Sequence, residues 1–367
     1  MQESENSIEE EIRRLEEEIR KTQKNKATEH HIGLLKAKIA KLRKQIEKKS
    51  SSKQHKVSVK RDGDATIAMI GYPSVGKSSL LNLLTNAKSK VADYEFTTID
   101  CVPGIMDYEG VKIQILDLPG IIKGAAKGKG MGKEILAYAR MSDLLLIVVD
   151  VDRYNLVSDI IEELEQSNFR LNEEEPKYVI NVKHKDGINI VSTVEEIDNQ
   201  KEKYIKDVIM SLGIHNADII LNERFDIDRF IDKIEENRKY IKCIIVINKA
   251  ESIQVDIDDT IISNKKFKVI YVSALTGKNI EILREQIWKN LGLIRVYPVK
   301  RNGEIDDKPL VLKKGSKVSD VCKRLHKDLL TFFKYAKIKG KSVKFDNQKV
   351  GLEHELEDMD IITIYTK

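Results

Sequence analysis

Apolar residues recur along this chain with two different periods, which divide it into helical and strand-bearing stretches. Near the N-terminus they follow a 4-3-4 spacing twice, which predicts two amphipathic helices packed on each other as a hairpin. The positions are Ile8, Ile12, Leu15 and Ile19, followed by Leu35, Ile39, Leu42 and Ile46. Later, short β-branched runs alternate with helical stretches, which predicts a parallel sheet covered by helices on both faces. These runs end at Gly71, Asp117, Asp150, Asn248 and Ser273.

The spacing of these strands indicates where further domains lie. About a hundred residues separate Asp150 from Asn248, where one helical crossover would be enough. Part of this stretch has its own strand patterns followed by a helix at 194–212, so we predict an inserted domain, after which a helix at 228–237 returns to the sheet. The end of the chain has the strand and helix order of a ubiquitin-like β-grasp fold, with its helix at 318–333. The predicted α/β protein comprises an N-terminal helical hairpin (1–50), a central domain in two parts (63–167 and 229–292), a small inserted α/β domain (168–228) and a C-terminal β-grasp domain (293–367).

The composition is that of a globular protein, with 34% charged and 41% hydrophobic residues. The longest apolar run, Leu144–Val149, is far shorter than the roughly 18 residues that a membrane span needs. The acidic, amphipathic N-terminus does not resemble a secretory signal. The cysteines, Cys101, Cys243 and Cys322, have no metal-ligand spacing, and we interpret them as thiols of a cytoplasmic protein.

The net charge of +5 is unevenly distributed along the chain. Residues 1–20 contain eight glutamates and three arginines, whereas residues 21–60 contain thirteen lysines or arginines and two glutamates. Such a basic block is either a solvated face or a surface that contacts RNA phosphates. A second basic cluster either binds RNA or prevents an exposed strand from pairing with other sheets. Its members are Lys334, Lys337, Lys339, Lys341 and Lys344.

Residues 71–78 match the phosphate-binding loop pattern of two spaced glycines followed by lysine and serine. They are Gly71, Tyr72, Pro73, Ser74, Val75, Gly76, Lys77 and Ser78, with Ser79 next in the following helical run. A buried strand precedes the loop and a helix follows it, as the pattern requires. The two glycines let backbone amides approach phosphate oxygens. Lys77 adds a positive charge at the terminal phosphates, and the Ser78 hydroxyl offers a ligand to Mg²⁺.

Two downstream segments complete a predicted site for Mg²⁺ and the γ-phosphate. In a polar stretch, we favour Thr98 over Thr97 as the residue that closes over the γ-phosphate and binds Mg²⁺ through its hydroxyl. The run Val111–Leu116, which alternates like an edge strand, leads into Asp117, Leu118, Pro119 and Gly120. Asp117 would hold Mg²⁺ through water, and the Gly120 amide would reach the γ-phosphate. The predicted metal ligands are Ser78, Thr98 and Asp117, and the predicted catalytic residues are Lys77, Thr98 and Gly120.

Two later strand ends predict recognition of a guanine base. They carry Asn248, Lys249, Ala250 and Glu251, and then Ser273, Ala274 and Leu275. The order resembles that of guanine-nucleotide-binding proteins, whose Asn-Lys-x-Asp segment accepts hydrogen bonds from guanine; a buried acceptor left unpaired by adenine costs about 1–3 kcal/mol. Here the fourth residue is Glu251, and we expect its longer arm to preserve guanine preference with altered affinity. The alternative is a relaxed base preference or weak GTP binding.

Position 121 bears on the rate of hydrolysis. Many such enzymes have a glutamine there that orients the attacking water, whereas this chain has Ile121, so we predict slow intrinsic turnover. A partner or K⁺ would supply the missing charge. Ser74 stands where related potassium-using GTPases have asparagine, and we expect only modest stimulation by K⁺.

Residues 124–132 contain four glycines and are either a mobile switch or a plain flexible loop. Their position after Asp117 favours the switch.

Over essentially its full length the chain resembles the developmentally regulated GTP-binding proteins, a branch of the Obg-like translation GTPases. The most specific segments are 21–28 with 31–37, the phosphate loop with 94–98, 117–122 with 128–130, 214–218, 333–336 and 348–351. The first branch of that family fits better than the second. The chain departs from the family at Glu251, where aspartate is usual, and at Ser79, where threonine is usual. The resemblance implies an inserted domain, a C-terminal TGS domain, association with ribosomes, and a zinc-finger partner protein that stabilises the chain.

We therefore expect a slow cytoplasmic GTPase that acts as a nucleotide-controlled, ribosome-associated translation factor. The hairpin and the TGS domain would transmit the nucleotide state to RNA or protein. The alternative is a GTP-bound scaffold on RNA or the ribosome, in which hydrolysis is incidental. A P-loop kinase is disfavoured, because nothing resembles an acceptor site and the guanine segment would be unexplained.

Overall fold

The structure consists of two compact units, each formed by two separate stretches of the chain. The first unit comprises Met1–Val57 with Asn168–Tyr240, and the second comprises Ser58–Ser167 with Ile241–Lys367. The computed structural model describes residues 2–23, 25–51, 62–85, 102–120, 132–251, 267–300 and 302–367. Within these ranges, no helix combines the length and the apolar character needed to cross a bilayer.

The regular elements of the described residues are ten α-helices and fifteen β-strands. The helices are α1 (Gln2–Lys21), α2 (Lys26–Ser51), α3 (Lys77–Leu84), α4 (Gly132–Met141), α5 (Val157–Gln166), α6 (Asn199–Ser211), α7 (Ile227–Glu235), α8 (Ile280–Leu291), α9 (Val318–Leu325) and α10 (Asp328–Thr331). The strands are β1 (Ala65–Ile70), β2 (Val102–Tyr108), β3 (Val111–Asp117), β4 (Leu144–Asp150), β5 (Phe169–Leu171), β6 (Tyr178–Val182), β7 (Ile188–Ser192), β8 (Ala217–Leu221), β9 (Lys239–Asn248), β10 (Lys268–Tyr271), β11 (Leu293–Pro298), β12 (Leu310–Lys313), β13 (Phe333–Lys339), β14 (Gln348–Val350) and β15 (Asp360–Thr366).

The second unit is built on a sheet with the strand order β10-β9-β4-β1-β3-β2 along its main path. Neighbouring strands run parallel except β2 and β3, which are antiparallel. The predicted parallel sheet is therefore confirmed, with one antiparallel edge. The interpretation of β3 as an edge strand was wrong, since it lies between β1 and β2 with six of its residues buried. Gln114 gave the strand its alternating pattern, but this side chain is buried and accepts a hydrogen bond from the Thr66 hydroxyl.

The C-terminal part of the second unit is a five-stranded β-grasp sheet of order β12-β11-β15-β13-β14, as predicted. Helix α9 packs on one face of it through Val318, Val321 and Cys322. The helix predicted at 318–333 is shorter, because α9 ends at Leu325 and only the single turn of α10 follows. Phe333 instead begins β13, whose backbone pairs with β15, so tertiary pairing overrides the apolar helical pattern there.

Arg295 of β11 joins the β-grasp domain to the central domain. Its guanidinium is buried and donates to both carboxylate oxygens of Asp358, at 3.0 and 2.6 Å, and to Glu109 at the tip of the β2–β3 hairpin. It also lies over the Trp288 ring of α8, 5.0 Å from the centroid, and Trp288 stacks on Tyr108. The β-grasp domain is thus attached to the hairpin that ends at Asp117.

The first unit contains the predicted helical hairpin. Helices α1 and α2 bury the two predicted apolar stripes against each other, with Ile12, Leu15, Leu35 and Ile39 at the centre. Four basic residues of α2 form ion pairs within this unit. Lys38 binds Glu11 and Arg43 binds Glu16 on α1, while Lys36 binds Asp228 and Lys44 binds Glu235 on α7. These pairs favour the solvated-face interpretation of this part of the basic block over RNA contact.

The inserted stretch folds in the same unit, as a sheet of order β6-β8-β7 covered by α6 and α7. Helix α6 begins at Asn199, later than the predicted 194, because Asp198 caps it by accepting from the Lys201 amide. We predicted that the insertion ends at 228 and that the next helix belongs to the central domain. Instead, Phe230 and Ile231 of α7 pack in the core of the insertion, together with Ala37 and Ala40 of α2.

Candidate nucleotide-binding site

The phosphate-binding loop follows the buried central strand β1, which pairs with β3 on one side and β4 on the other. Its two glycines are packed so closely that a side chain would overlap a neighbour. A Cβ on Gly71 would overlap the Val148 carbonyl oxygen, and a Cβ on Gly76 would overlap the Asn248 side-chain amide. Gly76 also has a φ of 88°, in the left-handed region. The packing of the loop therefore requires both glycines.

Lys77 begins α3, and its buried side chain folds back over the loop. The Nζ atom donates to the carbonyl oxygens of Gly71 at 3.2 Å and Tyr72 at 3.1 Å. Burial lowers the pKa of Lys77, and the Asp117 carboxylate opposes this shift. A buried ammonium group is stabilised strongly by an anionic partner, and a phosphate oxygen is such a partner.

Ser78 and Asp117 meet at one point of the site, as predicted for a pair of metal ligands. The Ser78 hydroxyl donates to Asp117 Oδ2 at 2.5 Å. The other oxygen, Asp117 Oδ1, is buried and has no hydrogen-bond partner among the residues that the structure describes. Buried carboxylate oxygens are normally paired. A hydroxyl beside a partly unpaired carboxylate therefore fits the oxygen ligands that Mg²⁺ prefers.

The segment after Asp117 is held against the phosphate loop. The Leu118 amide donates to the Met69 carbonyl at 3.3 Å. A Cβ on Gly120 would lie 2.6 Å from Pro73 Cδ, so only glycine allows this approach. The Gly120 peptide thus lies beside the loop, as its predicted role at the γ-phosphate requires.

Asn248 connects the phosphate loop to the last predicted segment of the site. Its Nδ2 donates to the Val75 carbonyl and its Oδ1 accepts from the Ala274 amide, both at 2.9 Å. The buried Ser273 hydroxyl donates to Glu251 Oε1 at 2.8 Å and so orients the carboxylate predicted to read the base. The two strand ends predicted to bind guanine therefore lie side by side, next to the phosphate loop.

Two charged residues that the sequence interpretation did not include in the site, Asp150 and Arg153, lie behind the loop together with the predicted Lys249. Asp150 ends β4 and is only 2% exposed; it accepts from Arg153 at 2.6 Å and from Lys249 at 3.1 Å. These hydrogen bonds, that of Arg153 most strongly, lower the pKa of Asp150 to about 2. Lys249 also donates to the Ser74 carbonyl at 3.2 Å, and Arg153 to the Pro73 carbonyl at 3.5 Å. The available signal was an aspartate ending an apolar run, with an arginine three residues later.

The other predicted residues differ in exposure or lie outside the described ranges. Val75 and Ala250 are buried, whereas Leu275 is 85% exposed. Ser79 is exposed on the first turn of α3, and Pro119 is partly exposed. Thr97, Thr98, Cys101, Ile121 and the loop up to residue 131 lie outside the described residues, so the roles assigned to Thr98, Ile121 and the switch stay predictions.

The fold and the site together define a P-loop GTPase. Residues 66–185 match the family model described as a 50S ribosome-binding GTPase, and residues 185–293 match the C-terminal region of that domain. Residues 294–366 match the TGS domain, which is the β-grasp domain described above. The chain is therefore a GTP-binding protein with a C-terminal TGS domain.

Several similar proteins span nearly the whole chain. A protein of Methanocaldococcus jannaschii named "Uncharacterized GTP-binding protein MJ1326" is 45% identical, over 98% of this chain and 93% of its own length. The human "Developmentally-regulated GTP-binding protein 2" is 41% identical, over 98% of this chain and all of its own length. Among solved structures, the YchF GTPase of Schizosaccharomyces pombe is similar with a TM-score of 0.44 and 13% identity, over 83% of this chain and 99% of that one. The chain belongs to the family of developmentally regulated GTP-binding proteins; its placement in the first branch stays a prediction.

Proposed function

We propose that this GTP-binding protein hydrolyses GTP slowly and acts as a nucleotide-controlled factor on the ribosome. The observation that carries the proposal is the contact of Ser78 with Asp117, whose second oxygen is buried and unpaired among the described residues, beside the buried ammonium of Lys77. These side chains would hold Mg²⁺ and the terminal phosphates of GTP, with Thr98 as a further ligand. When bound, Mg²⁺ neutralises charge that develops on the phosphate oxygens during hydrolysis.

The slow rate is supported by the residue at position 121. Ile121 has no group that can orient water by hydrogen bonding, so water would be positioned by backbone groups such as the Gly120 amide. We propose modest stimulation by K⁺, because a cation near Ser74 would supply part of the missing charge. Steady-state GTP hydrolysis in matched potassium and sodium buffers tests this point, and equal rates would reject it.

The guanine preference is supported by the arrangement around Glu251. Ser273 holds one carboxylate oxygen, which leaves the other for donors on the base. We propose that this carboxylate discriminates against adenine, because adenine would leave the acceptor unpaired beneath the base. Calorimetric titration with GTP and with ATP tests the assignment, and equal affinities would contradict it.

The ribosomal role is supported by family membership. The matched family model describes a ribosome-binding GTPase, and the resemblance to translation GTPases implies the same association. It also implies a zinc-finger protein that binds and stabilises the chain in the cytoplasm, which we include in the proposal. Switching by nucleotide would act through the residues that follow Gly120, because the segment up to Gly120 is packed against the phosphate loop at Pro73.

Sedimentation with purified ribosomes tests the switch. The chain is centrifuged with ribosomes in GTP, in GDP and without nucleotide, and the bound fraction is compared. Ser78→Asn, which removes the hydroxyl next to Asp117, is expected to weaken Mg·GTP binding and to abolish the difference between GTP and GDP. Ser158→Asn, at an exposed position of α5, is the matched control and should behave as the unmodified chain does.

The scaffold alternative makes the opposite prediction. If Ser78→Asn loses GTP affinity but sediments with ribosomes as before, hydrolysis and switching are incidental to ribosome binding. If the unmodified chain does not sediment in any nucleotide state, the ribosomal part of the proposal is wrong while the GTPase part stands.

A further inference from the structure

The open face of the β-grasp sheet carries aromatic and basic side chains in place of the usual mixture of polar residues. Ala336, Ile338 and Ile362 point into the core beneath α9. Since side chains alternate along a strand, the residues between them point to the opposite face. On the three adjoining strands β15, β13 and β14, the outward residues are Ile361, Thr363, Tyr365, Tyr335, Lys337, Lys339 and Lys349.

Two tyrosines form the centre of this face. Tyr335 and Tyr365 are directly opposite each other on β13 and β15, and their rings stack at 21° with centroids 4.7 Å apart. A lysine lies over each ring: Lys349 Nζ is 4.9 Å from the Tyr335 centroid, and Lys337 Nζ is 5.4 Å from the Tyr365 centroid. The four side chains therefore form a continuous strip of aromatic surface flanked by positive charge.

The charged side chains on this face are all positive. None of the seven outward residues of this face is acidic. Lys337 and Lys349 make no ion pair within the described part of the chain, and Lys339 pairs only with Asp346 at the rim, at 3.3 Å. At the other end of the same face, Arg295 is buried against Glu109 and Trp288. That end of the sheet is covered by the central domain, whereas in the tyrosine strip Tyr365 is 36% exposed and Lys349 is exposed.

Protection of a sheet edge does not explain this arrangement. Lysines that prevent edge pairing belong on the outermost strand, and this accounts only for Lys349 on β14. Lys337 lies on β13, which is paired on both sides. Edge protection also does not explain the two stacked tyrosines, because their apolar surface would favour association of this face with other molecules.

We propose that this strip binds an unpaired segment of RNA, an inference that rests on the proposed ribosomal function for its choice of partner. Bases stack on aromatic side chains irrespective of sequence, and lysines beside them neutralise the phosphates. The tyrosines would receive the bases, with Lys337, Lys339 and Lys349 close to the backbone. Duplex RNA hides its base faces, so it offers this strip nothing to stack on.

Fluorescence anisotropy with the full chain and a short labelled oligouridine tests the proposal. Tyr335→Leu with Tyr365→Leu keeps apolar bulk and removes the rings, and we expect affinity to fall about tenfold or more. Tyr335→Phe with Tyr365→Phe keeps the rings and should bind as the unmodified chain does. Lys337→Gln with Lys349→Gln should weaken binding and reduce the slope of log affinity against log salt by about 1.4, or about 0.7 for each phosphate contact.

A matched charge control lies on the opposite side of the same domain. Lys323→Gln with Lys327→Gln removes the same charge from exposed positions of α9 and the turn after it, and it should leave the salt slope unchanged. A blunt-ended duplex of the same length should bind at least tenfold more weakly than the single strand. The Phe and Gln variants keep the test valid if the Leu variant does not fold.

Three results would overturn the proposal: no binding of oligouridine at low salt, equal affinity for the duplex, or equal losses in the two lysine pairs. Unchanged RNA affinity in both the Leu and the Gln variants would do the same and would assign the strip to a protein partner. The ribosome sedimentation described above is measured separately. A chain that binds oligouridine through this strip but does not sediment would uphold the site and contradict the proposed function.

Discussion

Gly76 occupies a position in the phosphate loop where neither the backbone nor the surroundings tolerate a side chain. Its φ is 88°, and a Cβ would overlap the Asn248 amide, which bonds to the loop at Val75. We expect Gly76→Ala to displace Asn248 and to lower GTP affinity at least tenfold, because both the loop and the base-reading segment shift. Calorimetric titration measures this loss.

A substitution at Gly303 distinguishes the effect of a positive φ from the effect of a steric overlap. Its φ is 87°, but nothing lies within 4 Å of a Cβ built there. Gly303→Ala therefore carries only the backbone penalty of about 1–2 kcal/mol in stability, with no effect on GTP binding. If both variants bind GTP equally well, the steric account of Gly76 is wrong.

Glu251 gives the second prediction at the scale of a residue. Glu251→Ala removes the acceptor that Ser273 holds in place, and it should weaken GDP binding by about 1–3 kcal/mol, which is roughly five- to 150-fold. Glu251→Asp keeps the charge and should retain most of the affinity. Glu281→Ala, at an exposed carboxylate on α8, is the control; a loss there as large as at Glu251 would contradict the assignment.

Asp150 predicts a pH-dependent contribution to stability. Its pKa is about 2 in the folded chain, below the ordinary 3.8, so the folded state favours the charged form. The stabilisation is present above about pH 4 and is lost as the pH falls through 2. Because its cations are partly exposed, we expect Asp150→Asn to cost about 1–2 kcal/mol at pH 7. Urea unfolding at several pH values should show this difference shrinking below pH 4; a constant difference would contradict the account.

The residues of the site could be predicted to the extent that their roles are local. The phosphate loop and the segment from Asp117 to Gly120 were identified because backbone geometry and metal ligation restrict the residue types at fixed spacings. Asp150 and Arg153 were not, because an aspartate and arginine three residues apart are common on solvated surfaces. Only the packing of β4 against β1 and β9 brings them to the loop.

At the scale of elements, the β2–β3 hairpin is the part of the central domain that the TGS domain holds. Arg295 is 6% exposed and contacts Glu109 at the hairpin tip as well as Asp358. Arg295→Leu leaves these carboxylates without their partner. Because Asp358 and Glu109 are partly exposed, we expect a loss smaller than the roughly 3–5 kcal/mol that breaking a fully buried pair costs. We expect the TGS domain of this variant to separate from the central domain in a transition at lower temperature than in the unmodified chain.

Lys317→Leu is the control for this prediction, since Lys317 forms an exposed ion pair with Glu353 in the same domain. Such pairs contribute about 0–1 kcal/mol. Differential scanning calorimetry distinguishes the two variants. Equal shifts, or an Arg295→Leu variant that unfolds as the unmodified chain does, would show that the contacts of Arg295 do not join the two domains.

The elements themselves were predictable where a single period dominated. The 4-3-4 stripes of α1 and α2 and the apolar runs of β1, β4 and β9 were confirmed. The predicted helix at 318–333 was too long, because Leu329, Leu330 and Phe333 are apolar at helical spacing yet contact the core from a helical turn and a strand. A local pattern of apolar residues does not determine whether the backbone N–H and C=O groups form hydrogen bonds within a helix or with a neighbouring strand.

At the scale of the whole molecule, the first unit joins stretches that are far apart in sequence. Helix α2 packs on α6 and α7 through Gly33, Ala37 and Ala40, so the hairpin and the insertion share a core. We predicted both parts but not their union, since small residues on a helix are compatible with either solvent or close packing. The two helices α2 and α6 lie very close at Gly33, because a Cβ there would overlap the Tyr204 hydroxyl.

Because of this contact, we expect Gly33→Ala to lower the stability of the chain, whereas the same substitution in an isolated helix would raise it. Gly→Ala inside a helix normally stabilises by about 1 kcal/mol, but Gly33→Ala should destabilise by about 1–3 kcal/mol through overpacking against Tyr204. The Tyr204 hydroxyl is buried without a hydrogen-bond partner in the described structure, so Tyr204→Phe should cost little. It should restore the stability of Gly33→Ala only in part, because the ring atoms Cζ and Cε2 would still lie 2.7 and 2.8 Å from the added Cβ. Hydrogen exchange would show lost protection in α6 and α7 for the single Ala variant, and partial recovery in the double variant. If Gly33→Ala stabilises the chain, α2 and α6 do not share this core in solution.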